Sequence, residues 1–182
     1  HVPRTAHWDS VWQRAKAPYP LGPERTYREA ANWLGGLPLV EDWGCGTGYA
    51  KRFFSPPTVY RGLDGAPSRW CDHVCQLETY RSQADGILMR HVLDHCGRWR
   101  CVLGNALASF RRRMALVLFV PLGRKTSVIS TSRGVTTMQF SLADISGMLK
   151  AHGLRWRHEA RRTGCPPRRM GGIETCFWIE RP

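Results

Sequence analysis

The 182-residue chain has no hydrophobic run approaching the ~20 residues that a membrane-spanning helix requires, and its first residues carry no apolar secretory segment. These absences lead to the expectation of a soluble, cytoplasmic protein with no membrane partner. No C-x2-C pair occurs. Seven cysteines, an odd number, are scattered as Cys45, Cys71, Cys75, Cys96, Cys101, Cys165 and Cys176. A complete disulfide framework is therefore excluded, and small buried thiols are expected rather than a metal site, although Cys71, His73, Cys75 and Cys96 offer zinc-type ligands. Internal repeats, low-complexity tracts and linkers rich in Gly, Pro and Ser are also missing. The expectation is a single domain over 23–182, preceded by a cap segment over 1–22. Acidic residues are scarce, at 14 against 27 Lys and Arg, which leaves a formal charge of +13. Such a surface favours anionic partners, but position must decide which cations matter.

What is present reads as alternating strands and helices. Pro23 suits the first residue of a helix ending at Gly35-Gly36. Leu37 to Trp43 reads as a buried strand, followed by a short helix from Gly48. Val59 to Leu63, His73 to Leu77 and Ala84 to Leu93 supply three more strands. Trp99, Val102, Leu103, Ala106, Leu107 and Phe110 then share one helical face. Met114 to Leu122, MALVLFVPL, is a continuous apolar run of the kind a central parallel strand needs when both faces are covered. Ser141 with Asp144 forms a capping box for a helix ending at Gly153. Two final strands, near 154–161 and 173–180, are joined too closely for a crossover helix, so the last should run antiparallel. Segment 123–140 shows little periodicity, and its length suggests a substrate loop. The fold class expected is α/β: a doubly wound, mostly parallel seven-stranded sheet with an antiparallel last strand and helices on both faces.

The chemistry starts at Val40 to Ala50, VEDWGCGTGYA. Gly44, Gly46 and Gly48 fall between the first strand and a helix, where bare backbone lets a ligand approach closely. The spacing is G-x-G-x-G, unlike the G-x-G-x-x-G of dinucleotide sites, and Asp42 beside it disfavours a pyrophosphate. Asp64 closes the second strand, where an acid can accept hydrogen bonds from ribose hydroxyls. The pattern suits a nucleoside with a cationic tail.

VEDWGCGTG, YRGLDG, DGILMRHVLDH and RMALVLFVPL resemble the successive motifs of class I S-adenosylmethionine-dependent methyltransferases, over roughly residues 23 to 182. The resemblance implies S-adenosyl-L-methionine as cofactor and S-adenosyl-L-homocysteine as product. It places Asp42, Gly44, Cys45, Gly46 and Gly48 around the methionine part, Asp64 and Gly65 at the ribose, and Gln76 and Leu77 beside the adenine. The family often carries an Asp near that last position, where this chain has Gln76 and Glu78. Arg90 and His91 end the fourth strand beside the methyl group.

Methyl transfer needs a base only where the acceptor must lose a proton, and His91 and His95, four residues apart in HVLDH, are the candidate bases. No N-P-P-Y sequence and no Pro-Cys nucleophile follows the fourth strand, which argues against methylation of amino groups or carbon 5 on nucleic-acid bases. Arg111, Arg112 and Arg113 precede the fifth strand and should lie far from the site. Arg124, Lys125 and Arg133 follow that strand, and Arg161, Arg168 and Arg169 surround the turn after the sixth. Those six are candidate substrate contacts, because loops after strand carboxyl ends border the ligand crevice. Trp8, Trp12 and Tyr27 are placed either to form an aromatic lid or to pack the N-terminal helix. The expectation is a methyltransferase acting on O or N of a small or medium-sized anionic metabolite. An RNA methyltransferase and a noncatalytic binding protein of the same fold are the alternatives.

Overall fold

The computed structural model describes residues 6–163 and 172–182. The chain runs through α1 (Ala6–Arg14), α2 (Glu24–Leu34), β1 (Leu39–Trp43), β2 (Val59–Asp64), β3 (His73–Val74), β4 (Gly86–Arg90) and α3 (Trp99–Ser109). It continues through β5 (Arg113–Leu118), β6 (Ser127–Ser132), β7 (Val135–Gln139), α4 (Leu142–Ala151), β8 (Arg155–Arg162) and β9 (Ile173–Glu180). Tyr49–Phe53 and Leu93–His95 are 3₁₀ turns.

Among the described residues, seven strands form one sheet in the order β3-β2-β1-β4-β5-β9-β8. Every pair from β3 to β5 is parallel, whereas β9 runs antiparallel to both β5 and β8. The fold class read from the sequence is thus the fold observed. Period-two alternation explains how the central strands serve two layers. In β4, Ile87 and Met89 enter the layer beneath α3 and α4, while Leu88 enters the layer beneath α2. In β5, Met114, Leu116 and Leu118 take the first layer and Ala115 and Val117 the second. Each fully buried Leu, Ile or Met stabilises by about 1.5–3 kcal/mol before entropy is counted.

Local signals held where they were strongest. In α3, Trp99, Val102, Leu103, Ala106 and Leu107 are all buried. At the start of α4, the Asp144 N–H donates to Ser141 Oγ at 3.1 Å, and the hydroxyl donates in return to Asp144 Oδ2 at 2.8 Å. Weaker signals gave way. Pro23 is extended and sits one residue before α2 rather than inside it. The helix expected after Gly48 is one 3₁₀ turn, and the third strand shrinks to His73–Val74.

The clearest departure is segment 123–140, which is a hairpin rather than an irregular loop. Ser132 faces Val135 across Arg133 and Gly134, whose φ values of 50° and 77° give the doubly left-handed turn that matches strand twist. The signal was the β-branched content of 127–137 with Gly134 at its middle, both of which periodicity alone passes over. The hairpin packs its second strand on the Leu93–His95 turn.

Candidate active site

The glycine turn wraps the end of β2. Gly44 N–H and Cys45 N–H both donate to the Leu63 carbonyl, at 2.7 and 2.9 Å, and the Gly46 N–H donates to Asp64 Oδ2 at 2.9 Å. The other Asp64 oxygen accepts the Ala66 N–H at 2.9 Å. Gly44, Gly46 and Gly48 have φ of 81°, 54° and 67°, which other residues rarely adopt. Their bare faces are met by this chain's own side chains. A Cβ on Gly44 would overlap the Val92 methyls, one on Gly46 would lie 3.1 Å from the Trp12 indole, and one on Gly48 would lie 2.9 Å from Trp70 Cβ.

A cavity of about 320 Å³ opens at the carboxyl ends of β1, β2, β4 and β5. One half is bounded by Gly44, Asp64, Gly65, Gln76, Leu77 and Glu78. The other is bounded by Trp8, Trp12, Leu21, Arg90, His91, Val92, His95, Cys96 and Phe119. Of the residues singled out in the sequence, the structure therefore gathers Gly44, Asp64, Gly65, Gln76, Leu77, Arg90, His91 and His95 around one space.

Others lie behind it. Asp42 is buried and accepts the Tyr60 hydroxyl at 2.5 Å. Burial pushes its carboxyl up to about 7, with nearby Asp64 adding to the rise and the Tyr60 hydrogen bond opposing it. The Cys45 thiol turns away from the cavity, toward Gly62. Gly46 and Gly48 shape the turn from beneath Trp12 and Trp70.

Of the six basic residues expected at the substrate, the four described ones do not line the cavity. Arg124 and Lys125 are exposed in the bend between β5 and β6, and Arg133 is exposed at the tip of the hairpin. Arg161 donates to both Glu29 oxygens, at 3.2 and 3.0 Å, and pairs with Glu159, so its guanidinium is occupied within the protein. Arg168 and Arg169 lie outside the described residues.

Arg90 and His91 are organised by a residue that sequence reasoning missed. Glu174, at the start of β9, accepts Arg90 Nη2 at 2.7 Å and His91 Nε2 at 2.6 Å through a single oxygen. Arg90 also donates to Thr26 Oγ1 at 3.1 Å and to the Leu21 carbonyl at 2.6 Å, and its guanidinium covers the Tyr27 ring at 3.7 Å. The cluster ties Leu21, α2, β4 and β9 together. Burial pushes Glu174 up, but the His91 hydrogen bond and the Arg90 charge outweigh it and hold the carboxyl below its ordinary range. Burial also lowers His91, to about 4, despite the opposing Glu174 hydrogen bond. A neutral imidazole bonded this way carries its proton on Nε2, and Nδ1 lies 3.4 Å from Arg90 Nη1.

His95 differs. Its Nδ1 lies 3.2 Å from the Thr136 carbonyl of the hairpin and must donate to it, which leaves Nε2 with no hydrogen bond among the described residues. Burial lowers its pKa as well. The backbone at His91 is left-handed, with φ of 58°, and this turn sends the two histidines to different partners.

No family model matches the chain, and no curated protein does. Solved structures do. The chain is similar to the 1,6-didemethyltoxoflavin-N1-methyltransferase of Burkholderia thailandensis, solved with 1,6-didemethyltoxoflavin and S-adenosylhomocysteine bound, at 16% identity and a TM-score of 0.69 over 86% of this chain and 76% of that one. It is similar to the magnesium protoporphyrin IX methyltransferase of Synechocystis PCC 6803, solved with S-adenosylhomocysteine, at 16% identity and 0.67 over 97% and 94%. An S-adenosylmethionine-dependent methyltransferase from Mesorhizobium loti matches at 11% identity and 0.58 over 86% and 96%. The chain has the class I methyltransferase fold.

Proposed function

We propose that the protein is an S-adenosylmethionine-dependent methyltransferase acting on O or N of a small or medium-sized metabolite. One observation carries the reading: a single cavity joins the glycine turn and Asp64 to a histidine whose Nε2 has no partner among the described residues. The residues present fit the cofactor. Gly65 offers close backbone approach, with the nearest atom 3.8 Å from where a Cβ would stand, Gly44 lines the same cavity, Asp64 retains acceptor capacity beyond its two N–H bonds for a ribose, and Gln76, Leu77 and Glu78 border the place of an adenine. When bound, S-adenosylmethionine supplies an electrophilic methyl group.

The chain's own residues then divide the work. Both His91 nitrogens face protein groups, so His91 and Arg90 position the wall rather than move protons. His95 is the base. Its neutral imidazole holds a lone pair on Nε2, and the Thr136 carbonyl steadies Nδ1–H as positive charge develops. Trp12 over Gly46 and Trp8 beside His95 exclude water from the same space. Exposed Arg124, Lys125 and Arg133 in the segment after β5 favour an acceptor that keeps any anionic group outside the cavity.

Calorimetry with S-adenosylhomocysteine tests the reading, the expected result being saturable binding in the micromolar range. An absence of heat at millimolar ligand overturns it. Methylation of RNA remains the second reading because of the +13 charge. A log-log salt dependence of activity with a slope of several units would favour it.

A further inference from the structure

Five rings line one side of the cavity in an unbroken arc. Trp12 stacks on Trp8 with centroids 5.1 Å apart and planes 18° apart. Trp8 meets His95 at 5.2 Å, His95 meets Phe119 at 5.1 Å, and Phe119 meets His91 at 5.3 Å. The rings come from three separate places: α1, the turn after β4, and the residue following β5.

Core packing accounts for Trp12, which is 6% exposed, but not for the rest of the arc. The core aromatics Phe110, Phe140 and Phe177 are at most 1% exposed, whereas Trp8, His91, His95 and Phe119 all keep accessible surface. Aromatic faces left open inside a concavity are the surface on which a flat ring gains most, by offset stacking and by excluding water.

Charge narrows the occupant further. The one cation lining the cavity, among the described residues, is Arg90, which is committed to Glu174. Asp64 and Glu78 are acidic, and the two histidines are held neutral by burial. Among the described residues, an anionic group inside would find no free countercharge.

We infer that the acceptor is a planar aromatic compound, uncharged where it enters the cavity, which lies against Trp8 and Phe119 and presents a ring-bound O–H or N–H to His95 Nε2. The inference rests on the methyltransferase reading and deepens it. In the proton step the acceptor's O–H or N–H bond breaks, its electron pair stays on that atom, and a new N–H bond forms on Nε2. The resulting imidazolium keeps its Nδ1–H on the Thr136 carbonyl.

The test uses simple probes on the whole chain saturated with S-adenosylhomocysteine. 2-Naphthol, its saturated counterpart decahydro-2-naphthol and the anion naphthalene-2-sulfonate are compared by calorimetry and ligand-observed NMR. The expected result is that 2-naphthol binds at least tenfold more tightly than either of the others. Phe119→Leu keeps the apolar volume but removes the ring, and should weaken 2-naphthol at least fivefold with S-adenosylhomocysteine affinity within twofold. Failure of S-adenosylhomocysteine to bind overturns the methyltransferase reading and this inference with it. Binding of S-adenosylhomocysteine with 2-naphthol no tighter than its saturated counterpart, or no tighter than the sulfonate, overturns this inference alone.

Discussion

At the carboxyl ends of β1, β2 and β4, Asp42, Asp64 and Arg90 are each at most 8% exposed, and Glu174 beside them is 1% exposed. At the opposite end of the sheet, Arg111 and Arg112 stand in solvent. There Arg113 donates to the Trp33 carbonyl at 2.6 Å, and Arg181 donates to the Phe110 and Leu107 carbonyls, both at 2.8 Å. Both ends hold charge, but these cavity-end groups are withdrawn from water and need partners inside the protein: Arg90 takes Glu174, Asp42 the Tyr60 hydroxyl and Asp64 two backbone N–H groups. At the distal end, solvent and backbone carbonyls suffice. The contrast teaches that the stability of this fold is most exposed to mutation where the candidate chemistry sits.

The largest test of that contrast is Glu174→Ala, which leaves Arg90 buried without its counter-ion. It should cost about 3–5 kcal/mol in denaturant unfolding, while Arg112→Ala should stay within about 0.5 kcal/mol. Equal losses would erase the distinction. Next is Gly44→Ala. Left-handed backbone costs an alanine ~1–2 kcal/mol, and overlap with Val92 adds about 1–3 kcal/mol. Gly36→Ala has the same sign of φ, at 74°, but open space around it, so only the backbone share should appear. Adding Val92→Ala to Gly44→Ala should recover the overlap share; no recovery would show that Val92 yields easily.

A third effect concerns binding. Asp64→Asn should weaken S-adenosylhomocysteine by ~1–3 kcal/mol through lost charge-assisted hydrogen bonds. A dissociation constant within twofold of the unmodified protein would mean that the ribose lies elsewhere.

The last effect is a slope, small over any single pH unit. Asp94 is fully buried, accepts the Val120 N–H at 3.3 Å through Oδ1, and has no partner for Oδ2 among the described residues. Burial raises its carboxyl to about 7 from an ordinary 3.8. Between those values the folded state holds a proton that the unfolded state has released, so stability falls as pH rises through the window. Asp94→Asn should make that fall shallower, by at most about 1.4 kcal/mol per pH unit. His91, lowered from 6.5 to about 4, acts in the opposite sense, adding stability as pH rises from 4 to 6.5. An unchanged profile in Asp94→Asn would show that the buried carboxyl does not titrate there.

Much of the frame was legible along the chain. The apolar run beginning at Met114, the helical face from Trp99 and the Ser141–Asp144 box each announced an element, because each records a local period or a local hydrogen bond. Three glycines in alternation marked the turn for the same reason. Less legible was the partition among the site residues. The sequence nominated Arg90 as a cofactor contact and His91 as a base, and gave no sign that Glu174, more than eighty positions away, bonds to both. The hairpin was hidden by irregular polarity, and with it the Thr136 carbonyl that fixes the His95 tautomer.

The sequence by itself therefore determined the chain order of the strands in the main sheet, the antiparallel ending and the place of the glycine turn, since these follow from backbone periodicity and φ preferences over a few residues. Only the tertiary structure decided which histidine keeps a nitrogen without a partner among the described residues, which arginine is spent on internal pairing, and that five rings from three distant segments close into one wall. Those outcomes depend on burial and on partners brought together across the sheet, and neither quantity exists until the chain has folded.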